Sequence, residues 1–273
     1  MNTVPPRPLP GQPTVPPPAP APVGPVRLRY RSAPRTHVGL VRSVNEDSML
    51  VRDDAALWIV ADGMGGHDNG QWASQTLVAR FAQLDLSIDR AARGAAIVQA
   101  IEEGNRTIHA AATAAGKQMG TTAVVMHGDA NDVLLIWVGD SRIYRLRAGT
   151  LVQLTRDHTL VQDLVDRGSL APEEAEAHPM SHVLTRAVGT EGVLRYDSAV
   201  DTARAGDRYL LCSDGLSKVV PDDLVAAILS TGTIDTAADR LIAETLGRGA
   251  PDNTTLVVLS AEEATALGMR PAL

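Results

Sequence analysis

The sequence contains a single cysteine, and this scarcity excludes two kinds of architecture. Cys212 has no partner for an internal disulfide and cannot form a cysteine-rich zinc site. No apolar run approaches the roughly 20 residues that a membrane-spanning helix needs, and the N-terminus lacks the apolar core of a signal peptide. We therefore expect a cytoplasmic protein without membrane insertion.

Positive charge is also in deficit. The chain has 25 Lys and Arg residues against 32 Asp and Glu residues, a formal net charge of -7. Nonspecific binding to nucleic acid or to an anionic membrane requires a basic surface, so neither is expected. The 273 residues, 44% hydrophobic and 21% charged, suffice for one sizeable core in a soluble domain. An acidic balance is also compatible with a site that concentrates carboxylates around cations.

Proline is abundant only at the N-terminus, where residues 1–25 contain eleven of the 17 prolines. Proline fixes φ and lacks a backbone donor, so this arm is predicted to be a disordered tail with some polyproline II structure. It serves either as a docking segment for a partner's aromatic groove or as a spacer. The folded domain is predicted to span residues 26–262, followed by a C-terminal tail at 263–273.

The remaining sequence alternates short apolar runs with longer segments of helical periodicity. Strands are predicted at 57–60, 123–126, 133–138, 209–212 and 256–259, with a hairpin of 143–146 and 151–154 around Ala148-Gly149-Thr150. Helices are predicted at 71–84, 91–114, 160–167, 222–229 and 236–246. Because several strands follow one another without an intervening helix, the pattern favours an α+β fold in which helices cover mostly antiparallel sheets.

Acidic residues recur where apolar runs begin or end: Asp62 and Asp214 after two runs, Asp252 and the pair Glu46-Asp47 before two others. A turn explains any single case, since Asp-Gly is a common turn pair. Four cases in one chain indicate a cluster of carboxylates at one edge of the sheets. Such a cluster is unstable unless cations neutralise it.

The ligand type then indicates the cation. Carboxylate and carbonyl oxygens suit Mg²⁺ or Mn²⁺, whereas zinc prefers cysteine and histidine. The glycine after Asp62 allows close backbone approach, so the carbonyl of Gly63 is a further candidate ligand. A dinucleotide-binding interpretation of the segment from Gly63 fails, because Asp68 stands where the third glycine of that motif belongs.

From about Thr36 to Ser260 the chain resembles the bacterial branch of the PP2C-type (PPM) protein phosphatases. The matching stretches occur in the family's order and are Val41-Arg42-Ser43-Val44-Asn45-Glu46-Asp47, Val60-Ala61-Asp62-Gly63-Met64-Gly65-Gly66-His67, Met119-Gly120-Thr121-Thr122, Val138-Gly139-Asp140-Ser141-Arg142, Asp157-His158, Leu184-Thr185-Arg186-Ala187-Val188-Gly189, Cys212-Ser213-Asp214-Gly215-Leu216 and Asp252-Asn253-Thr254-Thr255. The resemblance implies a central antiparallel β-sandwich with helices on both outer faces, a four-layer αββα arrangement.

The resemblance also implies an activity: hydrolysis of phosphoserine and phosphothreonine in proteins by a water that two divalent cations, Mn²⁺ or Mg²⁺, activate. The implied roles fall on seven residues. Asp62 bridges the metals, the Gly63 carbonyl binds one of them, Asp214 and Asp252 bind the other, Glu46 and Asp47 hold metal-bound waters, and Arg42 grips the substrate phosphate.

Three further features stay open. His67 is either a proton donor or a part of its loop. Residues 159–182 correspond to the family's flap and form either a substrate-contacting lid or a solvated helical hairpin. Where bacterial members often place an Asp that helps to bind a third metal with the equivalent of Asp214, this chain has Gln118. A neutral amide is a weaker ligand for a hard cation, so we expect a third site to be weak or absent.

Two alternatives remain. A pseudophosphatase would share the fold but would be expected to lose one of Asp62, Asp214 or Asp252, and all three are present. A phosphodiesterase is the second alternative, and the order of the motifs argues against it. The expected partners are phosphorylated proteins and a cognate Ser/Thr kinase, and the expected oligomeric state is a monomer.

Overall fold

The computed structural model describes residues 28–66, 68–175 and 178–264. The expected tail at 1–25 lies outside these residues, as does all but the start of the tail at 263–273. The strands of the described part are β1 (Leu28–His37), β2 (Asp47–Arg52), β3 (Leu57–Met64), β4 (Gly120–Thr121), β5 (Ala123–Asp129), β6 (Asp132–Val138), β7 (Arg142–Arg147), β8 (Thr150–Gln153), β9 (Asp197–Thr202), β10 (Arg208–Cys212) and β11 (Thr254–Glu263). The helices are α1 (Asp68–Ala82), α2 (Arg90–Ala115), α3 (Leu160–Asp166), α4 (Pro172–Ala175), α5 (Asp214–Ser217), α6 (Asp222–Leu229) and α7 (Ile234–Gly247).

The strands form two sheets with antiparallel pairing. The first sheet has the order β1-β11-β10-β7-β8, and the second has the order β2-β3-β5-β6-β9, with β4 paired to β3. All predicted strands are present, but β1 and β9, which form edges of the two sheets, and the two-residue β4 were not predicted.

Alternation along the strands produces four layers. In β3, Leu57 and Ile59 pack on one side with residues of α1 and α2, whereas Trp58 and Val60 face residues of the other sheet. In β10, Leu210 and Cys212 pack with α6 and α7, whereas the neighbouring residues face the interior between the sheets. The helix–sheet–sheet–helix order confirms the predicted α+β sandwich with helices on both faces.

Cys212 is fully buried among apolar side chains, and burial raises the pKa of its thiol to about 12. A buried thiol in this state is not a nucleophile. Among the described helices, none combines the length and the apolar composition that crossing a bilayer requires.

Two local predictions need correction. β3 continues through Asp62 and Gly63 to Met64, so these residues lie within a strand and not in a turn after it. The hairpin loop consists of Ala148 and Gly149 alone, both with positive φ (48° and 81°), and Thr150 is the first residue of β8. Two consecutive positive φ values are typical of the tight turns whose twist matches that of paired strands.

Candidate functional site

Strand pairing brings the first acidic residues together. β2 and β3 are antiparallel, and their register places Asp47 directly opposite Asp62. Thr122 then fixes the backbone of Asp62 from the other side: its hydroxyl accepts the Asp62 N–H at 3.0 Å, and its N–H donates to the Asp62 carbonyl at 2.8 Å. The carboxylate of Asp62 is therefore held by a strand that is bonded on both flanks.

The other sheet delivers the remaining carboxylates at the same end of the sandwich. Asp214 begins the one-turn helix α5 directly after β10, and Asp252 lies two residues before β11. Asn253 connects this region to the loop before β2: its side chain accepts the Glu46 N–H at 2.8 Å and donates to the carbonyls of Val38 and Val44. One amide thus holds the loop that carries Arg42 and Glu46.

The result is a cleft of about 560 Å³. Six of the residues expected from the sequence line it: Arg42, Glu46, Asp62, Gly63, Asp214 and Asp252. Asp47 lies beneath the cleft floor, where its carboxylate accepts a hydrogen bond of 2.8 Å from the Ser213 hydroxyl. The fold thus brings together in one cleft residues that are up to 210 positions apart in the chain.

Glycine is required at the places where backbones meet behind these carboxylates. A Cβ on Gly63 would lie 2.2 Å from the Gly70 carbonyl oxygen and 2.6 Å from that of Glu46. A Cβ on Gly215 would lie 1.9 Å from the carbonyl oxygen of Asn253. The glycines that follow Asp62 and Asp214 are therefore needed for close backbone packing.

Burial and mutual repulsion disfavour the charged forms of the inner carboxyls. Desolvation, followed by the charges of Asp47 and Asp214, raises the pKa of Asp62 well above its ordinary value. Desolvation likewise raises the pKa of Asp47 to about 7 and that of Asp140 to about 6. The second oxygen of Asp47 has no partner within hydrogen-bond geometry among the described residues. These groups need additional positive charge if they are to be ionised at neutral pH.

Two basic side chains supply part of that charge. Arg42 donates to Asp252 at 2.8 Å near the solvent-exposed rim of the cleft. Lys218 donates to Asp214 at 2.7 Å and to Asp140 at 2.8 Å. With these contacts, no group of three His, Cys, Asp or Glu side chains within the described ranges is close enough as placed to enclose a metal ion.

The chemistry of the donors nevertheless fits two divalent cations. Six carboxyl groups lie in or under the cleft beside two basic side chains, so divalent cations would supply positive charge that these carboxyls need in order to ionise. The carboxylates are Glu46, Asp47, Asp62, Asp140, Asp214 and Asp252. Every donor is an oxygen, the ligand type of Mg²⁺ and Mn²⁺.

Sequence reasoning missed two residues that line the cleft, Asp140 and Asn253, and one that contacts its carboxylates, Lys218. Asp140 follows the apolar strand β6, which is the same signal that identified Asp62 and Asp214, so it was detectable. Lys218 carried no signal, because its role depends on a contact 78 positions away along the chain. Asn253 was part of a matched motif, but no role had been assigned to it.

One expected residue of the described part, Gln118, does not line this cleft. Gln118 lines a separate cleft of about 470 Å³ together with His109, Lys117 and Thr190, and does not join Asp214. A third metal between Gln118 and Asp214 therefore receives no support from this placement, and the weakness of such a site stays a prediction. His67 lies outside the described residues.

The base of the predicted flap is fastened by His158. Its Nδ1 accepts the Gly139 N–H at 3.1 Å, and its Nε2 contacts Asp197 of β9 at 3.1 Å. Thr159 and Leu184 form a bridge beside it, so the flap leaves and rejoins the sandwich at one point. Within the flap, α3 and α4 are short helices, and His182 lines the cleft.

The chain is similar to known proteins in sequence and in fold. Residues 40–248 match the family described as protein phosphatase 2C. The serine/threonine protein phosphatase PstP of Mycobacterium tuberculosis is 43% identical over 235 residues, which cover 85% of this chain and 45% of the relative. The chain thus spans less than half of that relative's length.

Two solved structures share the fold. PppA of Pseudomonas aeruginosa, described as a key regulatory component of T6SS, has a TM-score of 0.80 and 38% identity, covering 85% of this chain and 98% of that one. The catalytic domain of PstP in complex with two manganese ions has a TM-score of 0.79 and 40% identity, covering 86% of this chain and 100% of that one.

Proposed function

Because the chain belongs to the protein phosphatase 2C family, we propose that it is a metal-dependent phosphatase that hydrolyses phosphoserine and phosphothreonine in proteins. One observation carries the proposal. Both sheets of the sandwich contribute carboxylates to a single cleft, and that cleft has a guanidinium at its rim. This combination suits a phosphate monoester that is held between cations.

The cofactors in this proposal are two divalent cations, Mn²⁺ or Mg²⁺. The residues that would hold them are Asp62, the Gly63 carbonyl, Asp214 and Asp252, with Glu46 and Asp47 acting through water. When bound, such cations polarise phosphoryl oxygens and make water a nucleophile at neutral pH. The manganese ions of the PstP catalytic domain support this assignment.

The chain's own residues then orient the substrate. Arg42 is half-exposed at the rim, so its planar fork can donate hydrogen bonds to two phosphate oxygens if it leaves Asp252. Thr122, Ser213 and the backbone contacts of β3 fix the carboxylates behind it. His67 remains the candidate proton donor for the leaving alcohol. The buried thiol of Cys212 takes no part.

Substrates, partners and location are further elements of the proposal. The expected substrates are phosphorylated proteins, and the expected opposing activity is a Ser/Thr kinase. The names of the similar phosphatases support the substrate class. We propose a monomer that acts in the cytoplasm.

Hydrolysis assays test the proposal directly. The chain should release phosphate from a phosphothreonine peptide with Mn²⁺, and a chelator should abolish this. Asp62→Asn should reduce the rate by at least about 10²-fold, the scale of losing a key electrostatic group. Asp54→Asn, an exposed aspartate, is the matched control.

The same assay separates the alternatives. A pseudophosphatase would bind a phosphopeptide without releasing phosphate, and a phosphodiesterase would prefer a bis-ester over the peptide. Either result, or near-normal turnover of Asp62→Asn at saturating Mn²⁺, would contradict the proposed function.

A further inference from the structure

Lys218 occupies a position that the proposed reaction leaves unexplained. It caps the C-terminus of α5, four residues after Asp214, and residues at this spacing lie on one face of a helical turn. Its ammonium therefore points back at the carboxylate of Asp214, at 2.7 Å. The same ammonium is 2.8 Å from a carboxylate of a different element, that of Asp140 after β6.

Asp140 gives this contact its importance. Its side chain is only 5% exposed, and among the described residues Lys218 is the partner that donates to its carboxylate. A buried carboxylate without a cation is costly, so Lys218 compensates a charge that solvent does not reach. The pair of Arg42 and Asp252 differs, since both of its side chains are substantially exposed, at 56% and 38%.

The residue type is also unusual for this chain. Of the 25 basic residues, only Lys117 and Lys218 are lysines. An ammonium is a compact charge on a flexible stem with three donors, so it can stand between two carboxylates and can also be drawn aside. A guanidinium instead presents its donors in one fixed plane.

We propose that Lys218 is a built-in cation that competes with a divalent metal ion for Asp214 and thereby sets the metal affinity of the cleft. The inference rests on the proposed function only in taking Asp214 as a metal ligand. A metal ion that binds Asp214 gains a carboxylate whose charge is already partly neutralised, and it meets the repulsion of the ammonium. Lys218 thus lowers affinity, while Asp140 keeps the displaced ammonium nearby.

Calorimetric titration with Mn²⁺ tests this inference. Lys218→Met removes the ammonium but keeps the apolar stem, and we expect its dissociation constant to be at least about 10-fold lower than that of the native chain. Lys218→Gln, a shorter uncharged donor, should change in the same direction. Lys218→Arg keeps the charge and should not bind Mn²⁺ more tightly. Lys117→Met is the matched control, because Lys117 lines the separate cleft.

Thermal unfolding supplies a second readout. In chelator, Lys218→Met should have a lower melting temperature than the native chain, because Asp140 and Asp214 then repel each other. Saturating Mn²⁺ should raise the melting temperature of Lys218→Met by more than it raises that of the native chain. A merely structural lysine would lower the melting temperature equally with and without Mn²⁺ and leave the dissociation constant unchanged.

The outcomes distinguish this inference from the proposed function. Equal or weaker Mn²⁺ binding by both Lys218→Met and Lys218→Gln overturns the role of Lys218, whatever the activity. If one variant does not fold, the other decides. Conversely, tighter Mn²⁺ binding by the variants in a chain that never releases phosphate would sustain the role of Lys218 and contradict the proposed function.

Discussion

At the scale of single residues, Arg42 connects two functions of the cleft. Its guanidinium holds Asp252 at 2.8 Å, although the proposed mechanism requires Arg42 to bind phosphate and Asp252 to bind a metal. These requirements are compatible if metal binding at Asp252 releases Arg42. Cation and phosphate would then favour each other's binding, since both separate the same ion pair.

Arg42→Ala tests this coupling. We expect inorganic phosphate to bind about 10-fold or more weakly, because a charged, bidentate contact is lost. Mn²⁺ should bind as tightly as to the native chain or more tightly, because Asp252 no longer has a competing partner. Calorimetry measures both constants, with the rim-distant Arg29→Ala as the control. A loss of Mn²⁺ affinity with unchanged phosphate affinity would reverse the assigned roles.

The sequence identified residues of the cleft unevenly, for a physical reason. Asp62 and Asp214 are visible because each follows an apolar run and precedes a glycine, a pattern contained in a few consecutive residues. The sequence does not reveal the role of Lys218, because that role depends on a contact with Asp140 that only the tertiary fold creates. Gln118 shows the converse case, since its position relative to Asp214 was inferred from a motif alone and its side chain lines a different cleft.

At the scale of elements, apolar strands were predictable, whereas two polar edge strands, β1 and β9, were not. β3, β5, β6, β10 and β11 are buried on both faces and read as apolar runs. β1 carries three arginines and Pro34, and it is tolerated because it lies at an edge of its sheet. β9 has the polar sequence DSAVDT and forms the edge of the other sheet. Their pairing comes from neighbours and not from their own composition.

The junction of β3 and α1 makes a second prediction. Gly63 packs against the backbone at Gly70 and Glu46 so closely that any Cβ would collide with carbonyl oxygens. Gly63→Ala must therefore move α1 or β2, which we expect to cost about 1–3 kcal/mol or more of the free energy of unfolding.

Urea denaturation compares this variant with Gly149→Ala, where a Cβ meets no atom within 4 Å although φ is positive. Gly63→Ala should lose phosphatase activity and stability together, whereas Asp62→Asn should lose activity alone. A fully stable but inactive Gly63→Ala chain would contradict the packing argument.

The base of the flap has a predictable pH dependence. Burial is the main cause that lowers the pKa of His158, and Arg186 adds to it, against the opposing effect of Asp197. A histidine whose folded pKa is lowered is neutral in the folded chain but takes up a proton when unfolded below about pH 6.5. Its contribution to stability is therefore complete above that pH and is lost as the pH falls.

We expect the contribution of His158 to the free energy of unfolding to fall between about pH 7 and pH 5, by at most about 1.4 kcal/mol per pH unit for this one proton. The difference in free energy of unfolding between the native chain and His158→Gln should therefore shrink as the pH falls over this interval. Urea denaturation at several pH values measures the slope. Identical slopes for native and His158→Gln chains would exclude His158 as the titrating group.

At the scale of the whole molecule, the cleft joins the two sheets. Asp47 and Asp62 come from β2 and β3 of one sheet, whereas Asp214 and Asp252 adjoin β10 and β11 of the other. The apolar interior between the sheets, with Trp58, Tyr209 and Val257 fully buried, already couples them. A cation that binds carboxylates of both sheets adds a second connection at the end where the core stops.

Mn²⁺ should therefore stabilise the folded chain as a unit. A ligand that binds only the folded state at about 100 times its dissociation constant adds about 2.7 kcal/mol. For a chain of this size, that raises the melting temperature by about 5–10 °C relative to the protein in chelator. Differential scanning fluorimetry measures the shift. Because Asp62 would bridge both cations and Asp214 would bind one of them from the other sheet, Asp62→Asn should remove most of the shift and Asp214→Asn should also reduce it. If only one of these variants reduced the shift, the cations would be held by one sheet, and the cross-sheet site would be wrong.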